Sequence, residues 1–135
     1  MRESAGLDVL DRAECLRLLA EAPIGRVVFT DQALPAVQPV VFAVHGDTVV
    51  FRACDSDGVA ESVHGAVVAF EADRFDPVTN TGWSVTVVGR ACTVVDPDEL
   101  TELALMPLEP WTHDDVGGFV RIEIELVNGR SIPPR

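Results

Sequence analysis

The stretch TVVFRACDSDGVAESVHGAVVAFEA, Thr48 to Ala72, decides the fold. Its two ends, Thr48–Ala53 and Ala66–Ala72, are apolar and rich in valine, and both read as strands. Between them CDSDGVAES, Cys54 to Ser62, interrupts the β pattern. There Asp55 or Ser56 is expected to cap a short helix that runs to about Val63, with His64-Gly65 ending it. A strand entering a helix leaves backbone N–H groups at the helix start, a common place to hold an anion. The side chains at this turn are instead Asp55 and Asp57, with Glu61 one turn on. Carboxylates at a helix start stabilise it by roughly 0.3–1 kcal/mol each. A carboxylate a few ångströms from a phosphate is repelled by about 1–4 kcal/mol. Self-capping is therefore the default local reading. Anion binding requires Asp55 and Asp57 to point away while Ser56 and the N–H groups face the ligand.

Working outward, Asp11-Arg12-Ala13-Glu14 is a capping box ahead of an apolar run, predicting a helix over Arg12–Glu21 that stops near Pro23. Gly25–Thr30 reads as a strand, and Pro35–Val44 as a second whose two prolines suit an edge or an irregular start. His45-Gly46-Asp47 turns that strand into Thr48–Ala53. Downstream, DRFDPVTNTG reads as a loop into a long strand, Trp83–Val95, whose Gly89 marks a candidate bulge. Asp96-Pro97 starts another helix, Gly117–Val127 alternates as a last main strand, and Asn128-Gly129 turns it into a tail. Six strands joined mostly by tight turns predict a mainly β fold with short helices, an antiparallel sheet closing into a barrel. The expected organisation is one domain, 1–135, with a helical segment at 1–22 and the barrel at 23–135. VVFAV and VVAF are too apolar for a sheet with one wet face, so a homodimer is expected to cover the outside.

Composition excludes several functions. The net charge is −12 and every cation is an arginine, so a polyanion such as nucleic acid is repelled and lysine chemistry is ruled out. Three scattered cysteines and three histidines form no metal-ligand spacing. No apolar stretch reaches membrane-spanning length and no secretory apolar segment follows Arg2, so a cytoplasmic protein without membrane attachment is expected. No GxSxG or other ordered triad motif is present, and Gly117-Gly118 precedes a strand rather than a helix.

The ordered motifs GRVVFT, LPAVQPVVFAV, VVFRA, GAVVAFEAD, TGWSVTVVGRA and FVRIEIELVNGRSI resemble the pyridoxamine 5'-phosphate oxidase-like family over almost the whole chain. The resemblance implies a Greek-key, FMN-binding split barrel with the flavin clasped between two subunits and a small-molecule substrate. It implies that Val37, Pro39, Val40 and Val41 lie along the isoalloxazine ring; family members often carry Asn where Val41 stands. It implies that Arg52 ends a strand near the phosphate, and that Ser56, Asp57 and Gly58 occupy the phosphate turn, where the family's usual Lys or Arg is absent. Trp83 and Ser84 match the segment that approaches the flavin, often from the other subunit.

From the residue chemistry, Arg26 and Arg52 are the phosphate candidates, against the plainer reading of surface arginines on an acidic protein. Trp83 and Trp111 could stack on an aromatic ligand or serve as core or interface anchors. His113-Asp114-Asp115 reads as a helix cap rather than an acid–base pair. The expected function is a flavin-dependent oxidoreductase, with catalytic residues unassigned. The alternatives are a non-enzymatic homodimer with a degenerate flavin site that binds a small ligand or regulates, and use of a deazaflavin.

Overall fold

The computed structural model describes residues 6–54, 58–108 and 117–134. Along it run β1 (Asp8–Leu10), α1 (Arg12–Glu21), β2 (Gly25–Asp31), β3 (Leu34–Val40), β4 (Phe42–His45), β5 (Thr48–Arg52), α2 (Val59–Val63), β6 (Val67–Asp76), β7 (Thr81–Thr93), α3 (Pro97–Leu103), β8 (Phe119–Glu123) and β9 (Leu126–Ile132). α1 has the expected bounds because Asp11 caps it, its side chain accepting the Glu14 N–H at 2.8 Å. α3 is held in the same way by Asp96, which accepts from Glu99 N–H at 3.0 Å, with Pro97 at the first helical position.

The strands pair antiparallel in the order β3-β2-β6-β7-β8-β5-β4. Its two ends, β3 and β4, are consecutive in the chain and separated by Val41 alone. One kinked strand thus joins the sheet's edges and curls it into the expected split barrel. The single strand foreseen over Pro35–Val44 is therefore two, bent at Val41. The last strand also divides: β8 pairs with Ala91–Thr93 of β7 and with all of β5, whereas β9 pairs with Gly82–Val88 on the same side of β7. Gly89 stands between the two partners. A methyl built there would overlap the Glu123 carbonyl oxygen and lie 2.8 Å from the Glu123 carbonyl carbon, so the crossing chain needs a glycine opposite it.

Three further expectations are corrected. Asn128-Gly129 lies inside β9 and makes no turn; glycine is needed because a methyl there would come 2.7 Å from the Cys15 sulfur. The segment read as a loop from Asp73 continues β6 to Asp76 and pairs through to Thr81 of β7. Its tight turn is held by Asp76, whose side chain accepts from Val78 N–H at 2.9 Å. β1, which no local signal announced, adds to the free edge of β9.

Alternating side chains of both sheet halves fill the barrel with Val27, Val49, Phe51, Phe70, Val85, Val87 and Ile122, all fully buried, and Phe42 meets Phe70 edge-on at 4.7 Å. α1 closes one side by burying Cys15, Leu18 and Leu19. α3 covers the outside of the half formed by β4, β5 and β8, where Val50, Val94, Leu103, Leu108 and Phe119 make a second, smaller core. Among the described residues no helix is long and apolar enough to cross a membrane.

Candidate functional site

The first group of candidate residues gathers where β3 and β5 end and α2 begins. Pro39, Val40, Arg52, Cys54 and Val59 line a depression of about 10 Å³. Arg52 is fixed from two sides. Its Nε donates to the Gly117 carbonyl at 3.2 Å, and its guanidinium carbon sits 5.0 Å from the Phe119 ring centroid, a cation–π contact. Its two terminal nitrogens make no hydrogen bond among the described residues, and a guanidinium fork is the usual geometry for gripping an anion.

α2 starts with Gly58 at its N-cap position, at φ 71°. The expected cap at Asp55 or Ser56 falls outside the described residues. A left-handed turn costs an L-residue roughly 1–2 kcal/mol, which accounts for glycine where a cation is usual in the family. Ser56 and Asp57, together with Asp55, lie outside the described residues, as do Trp111, His113, Asp114 and Asp115.

The second group lies on the outer face of the half formed by β3, β2, β6, β7 and β9. Strand register sets out its rows. Val37, Val28, Ala69, Val88 and Leu126 form an apolar row, with Val37 60% exposed and Leu126 66% exposed. The next row is Pro39, Arg26, Glu71, Thr86 and Asn128, and beyond it come Asp73, Ser84 and Arg130. Arg26 is occupied: one terminal nitrogen is shared between Glu71 at 3.1 Å and Asp73 at 3.7 Å. Burial, then the hydrogen bond and charge of Asp73, push the Glu71 carboxyl up to about 7 against the lowering pull of Arg26.

Trp83 is half-buried against the barrel core. It lines an open groove of about 460 Å³ with Pro23, Ile24, Arg26, Arg74 and Phe75. An adjoining groove of about 200 Å³ shares Trp83 and adds Ser84, Arg130 and Ser131. The candidates thus fall into two places: Pro39, Val40 and Arg52 at the α2 end, and Arg26, Trp83 and Ser84 along the grooves. Val37 lies on the open face and Val41 at the kink between β3 and β4. Glu71, Asp73 and Arg74 were not foreseen. The alternation FEAD does place Glu71 and Asp73 on one side of a strand, but Asp73 taken alone opens a polar, loop-like segment. Cys15, Cys54 and Cys92 are not joined in disulfides, and burial raises the pKa of Cys15. The described residues contain no group able to hold a metal ion.

Comparison with known proteins gives consistent relationships. A family model described as pyridoxamine 5'-phosphate oxidase matches residues 11–131. An uncharacterized protein of Mycobacterium tuberculosis is 43% identical over 128 residues, covering 91% of this chain and 84% of that protein. Among solved structures, the FAD binding protein from Mycobacterium smegmatis is 33% identical with a TM-score of 0.78, covering 91% of this chain and 95% of that one. A conserved protein of unknown function from Corynebacterium diphtheriae is 30% identical with a TM-score of 0.79, covering 93% and 98%.

Proposed function

The chain belongs to the pyridoxamine 5'-phosphate oxidase family, and from that premise we propose that it is a flavin-binding oxidoreductase that works as a homodimer on a small-molecule substrate. The observation that carries this reading is Arg52, a guanidinium anchored by Gly117 and Phe119 whose outer nitrogens make no hydrogen bond among the described residues. A flavin supplies hydride and electron transfer; the protein supplies binding, orientation and exclusion of water. Arg52 holds the phosphate beside Gly58 at the start of α2; Ser56 and Asp57 are assigned to the same phosphate by the family resemblance alone. Val37, Pro39, Val40 and Val41 form the bed for the ring, and Val41 offers it no side-chain hydrogen bond. Trp83 and Ser84 approach from the second protomer.

Two observations support the dimer. The depression beside Arg52 is about 10 Å³ among the described residues, while sites for molecules of this size occupy roughly 300–1,000 Å³, so a flavin phosphate held at Arg52 calls for further walls, which a second chain supplies. α3 covers one outer half of the barrel, whereas the other half presents the apolar row from Val37 to Leu126. FMN is the first candidate; FAD, bound by the Mycobacterium smegmatis protein, is the second. Three cysteines outside any disulfide suit a reducing compartment, the cytoplasm.

The degenerate-site reading draws on Gly58, which brings no cation, and on Arg26, which carboxylates occupy. Titration of the purified protein with FMN and with FAD decides between them, read by flavin fluorescence and thermal shift. The expected result is quenching, with stabilisation of about 2.7 kcal/mol at a hundredfold excess over Kd. Absence of both signals for both flavins overturns the oxidoreductase reading and leaves the degenerate one.

A further inference from the structure

We propose that the triad Arg26–Glu71–Asp73 makes the pairing of two copies through the open sheet face proton-linked, so that the dimer tightens as pH falls. The inference rests on the homodimer reading above and adds the face and its control. The geometry is unbalanced by design of the register: two carboxylates, side by side on β6, share one guanidinium nitrogen reaching over from β2. The three groups together therefore carry a net charge of −1 when both carboxyls are ionised. It lies one row from the apolar strip of Val37, Val28, Ala69, Val88 and Leu126. Any copy that covers that strip also dehydrates the triad.

The groups facing Glu71 are few. β2 brings Arg26, and β6 itself brings Asp73. From β7, Thr86 and Ser84 stand opposite Glu71 and Asp73, and neither is charged. Arg130 of β9 lies one strand further, beside Ser84. Within one chain the Glu71 side chain is still 27% exposed, and its carboxyl already titrates near neutrality, at about 7. Removing the remaining water disfavours the charged form further. The paired state then holds a proton that the separate chains have lost, and association must strengthen on acidification. The occupant is a second copy because the face combines an apolar strip with both signs of charge, Arg90 and Arg130 at its margins and the triad in the middle, as a self-complementary patch requires.

The test is the dimer dissociation constant of the full chain by sedimentation velocity at pH 6, 7 and 8, for wild type, Glu71→Gln and Asp73→Asn. Wild type should associate roughly tenfold or more tightly at pH 6 than at pH 8. Glu71→Gln should be flat across the range, at the tight limit. Asp73→Asn removes the competing carboxylate but keeps the burial of Glu71, so its slope should weaken and move to lower pH, which covers the case of a poorly folding Glu71 variant. A flat wild-type dimer, a slope kept in Glu71→Gln, or a dimer that loosens at low pH overturns this inference and leaves the homodimer standing. A chain that stays monomeric at every pH, with or without FMN, overturns both.

Discussion

Gly89→Ala tests the architecture at the point where β7 changes partner. The added methyl would overlap the Glu123 carbonyl oxygen and lie 2.8 Å from the carbonyl carbon and 3.4 Å from the Glu125 amide nitrogen. These are backbone atoms, so no side-chain rotation relieves the clash. Either the β8–β9 junction moves outward, straining the Ile124 N–H bond to Asp47 O at 2.9 Å, or β7 buckles and loses its three pairs with β8 at Ala91–Thr93. Overpacking a side-chain core costs about 1–3 kcal/mol; a backbone obstacle belongs at or above the top of that range. For a chain of this size a loss of about 3 kcal/mol corresponds to a fall in Tm of roughly 10 °C or more. Thermal unfolding followed by circular dichroism measures it, with Gly118→Ala as the control. A methyl at Gly118 meets nothing within 4 Å, so that variant should stay within about 0.5 kcal/mol of wild type. If Gly89→Ala melts with wild type, the junction does not cross β7 where it is placed here.

Two other outcomes are expected. Arg52→Ala should weaken FMN binding by roughly tenfold to a hundredfold, the worth of a charge-assisted hydrogen bond of about 1.5–3 kcal/mol, with little change in Tm; isothermal titration checks it, and unchanged affinity moves the phosphate elsewhere. The Glu71 carboxyl is raised from 4.5 to about 7 in the folded chain, so it contributes stability that is fully present below pH 4.5 and lost as pH rises through 7. Screening at this partly exposed position limits the loss to about 1 kcal/mol. Denaturant melts of the dilute chain at pH 5.5 and 8 should show that loss in wild type and not in Glu71→Gln.

The elements read correctly from sequence are those whose signals are local. α1 and α3 announce themselves through Asp11 and Asp96, whose side chains bond amides three residues on. The elements misread are those made by distant partners. Asp73–Asp76 is polar and loop-like alone, and is a strand only because Thr81–Ser84 pairs with it. Gly129 resembles a turn residue until Cys15, from the other end of the chain, is seen packed against it. The site shows the same division. Arg52 could be singled out by its place at the end of a strand, but not its anchoring by Gly117 and Phe119, which a long connection brings back to it. Likewise the carboxylate partners of Arg26 sit on β6, far along the chain.

The kinked strand that joins the two edges of the sheet also orders events during folding. β2 with β3 and β4 with β5 are hairpins formed from neighbouring segments, and such local pairs form within microseconds. The ring closes only when Thr48–Arg52 meets Phe119–Glu123, a pairing that must first overcome the entropy of closing a long loop. Until Phe119–Glu123 has been synthesised, β5 carries an open edge lined by Val49, Val50 and Phe51. In a growing chain that edge is a place for misassociation, and the last strands of the barrel are what shield it.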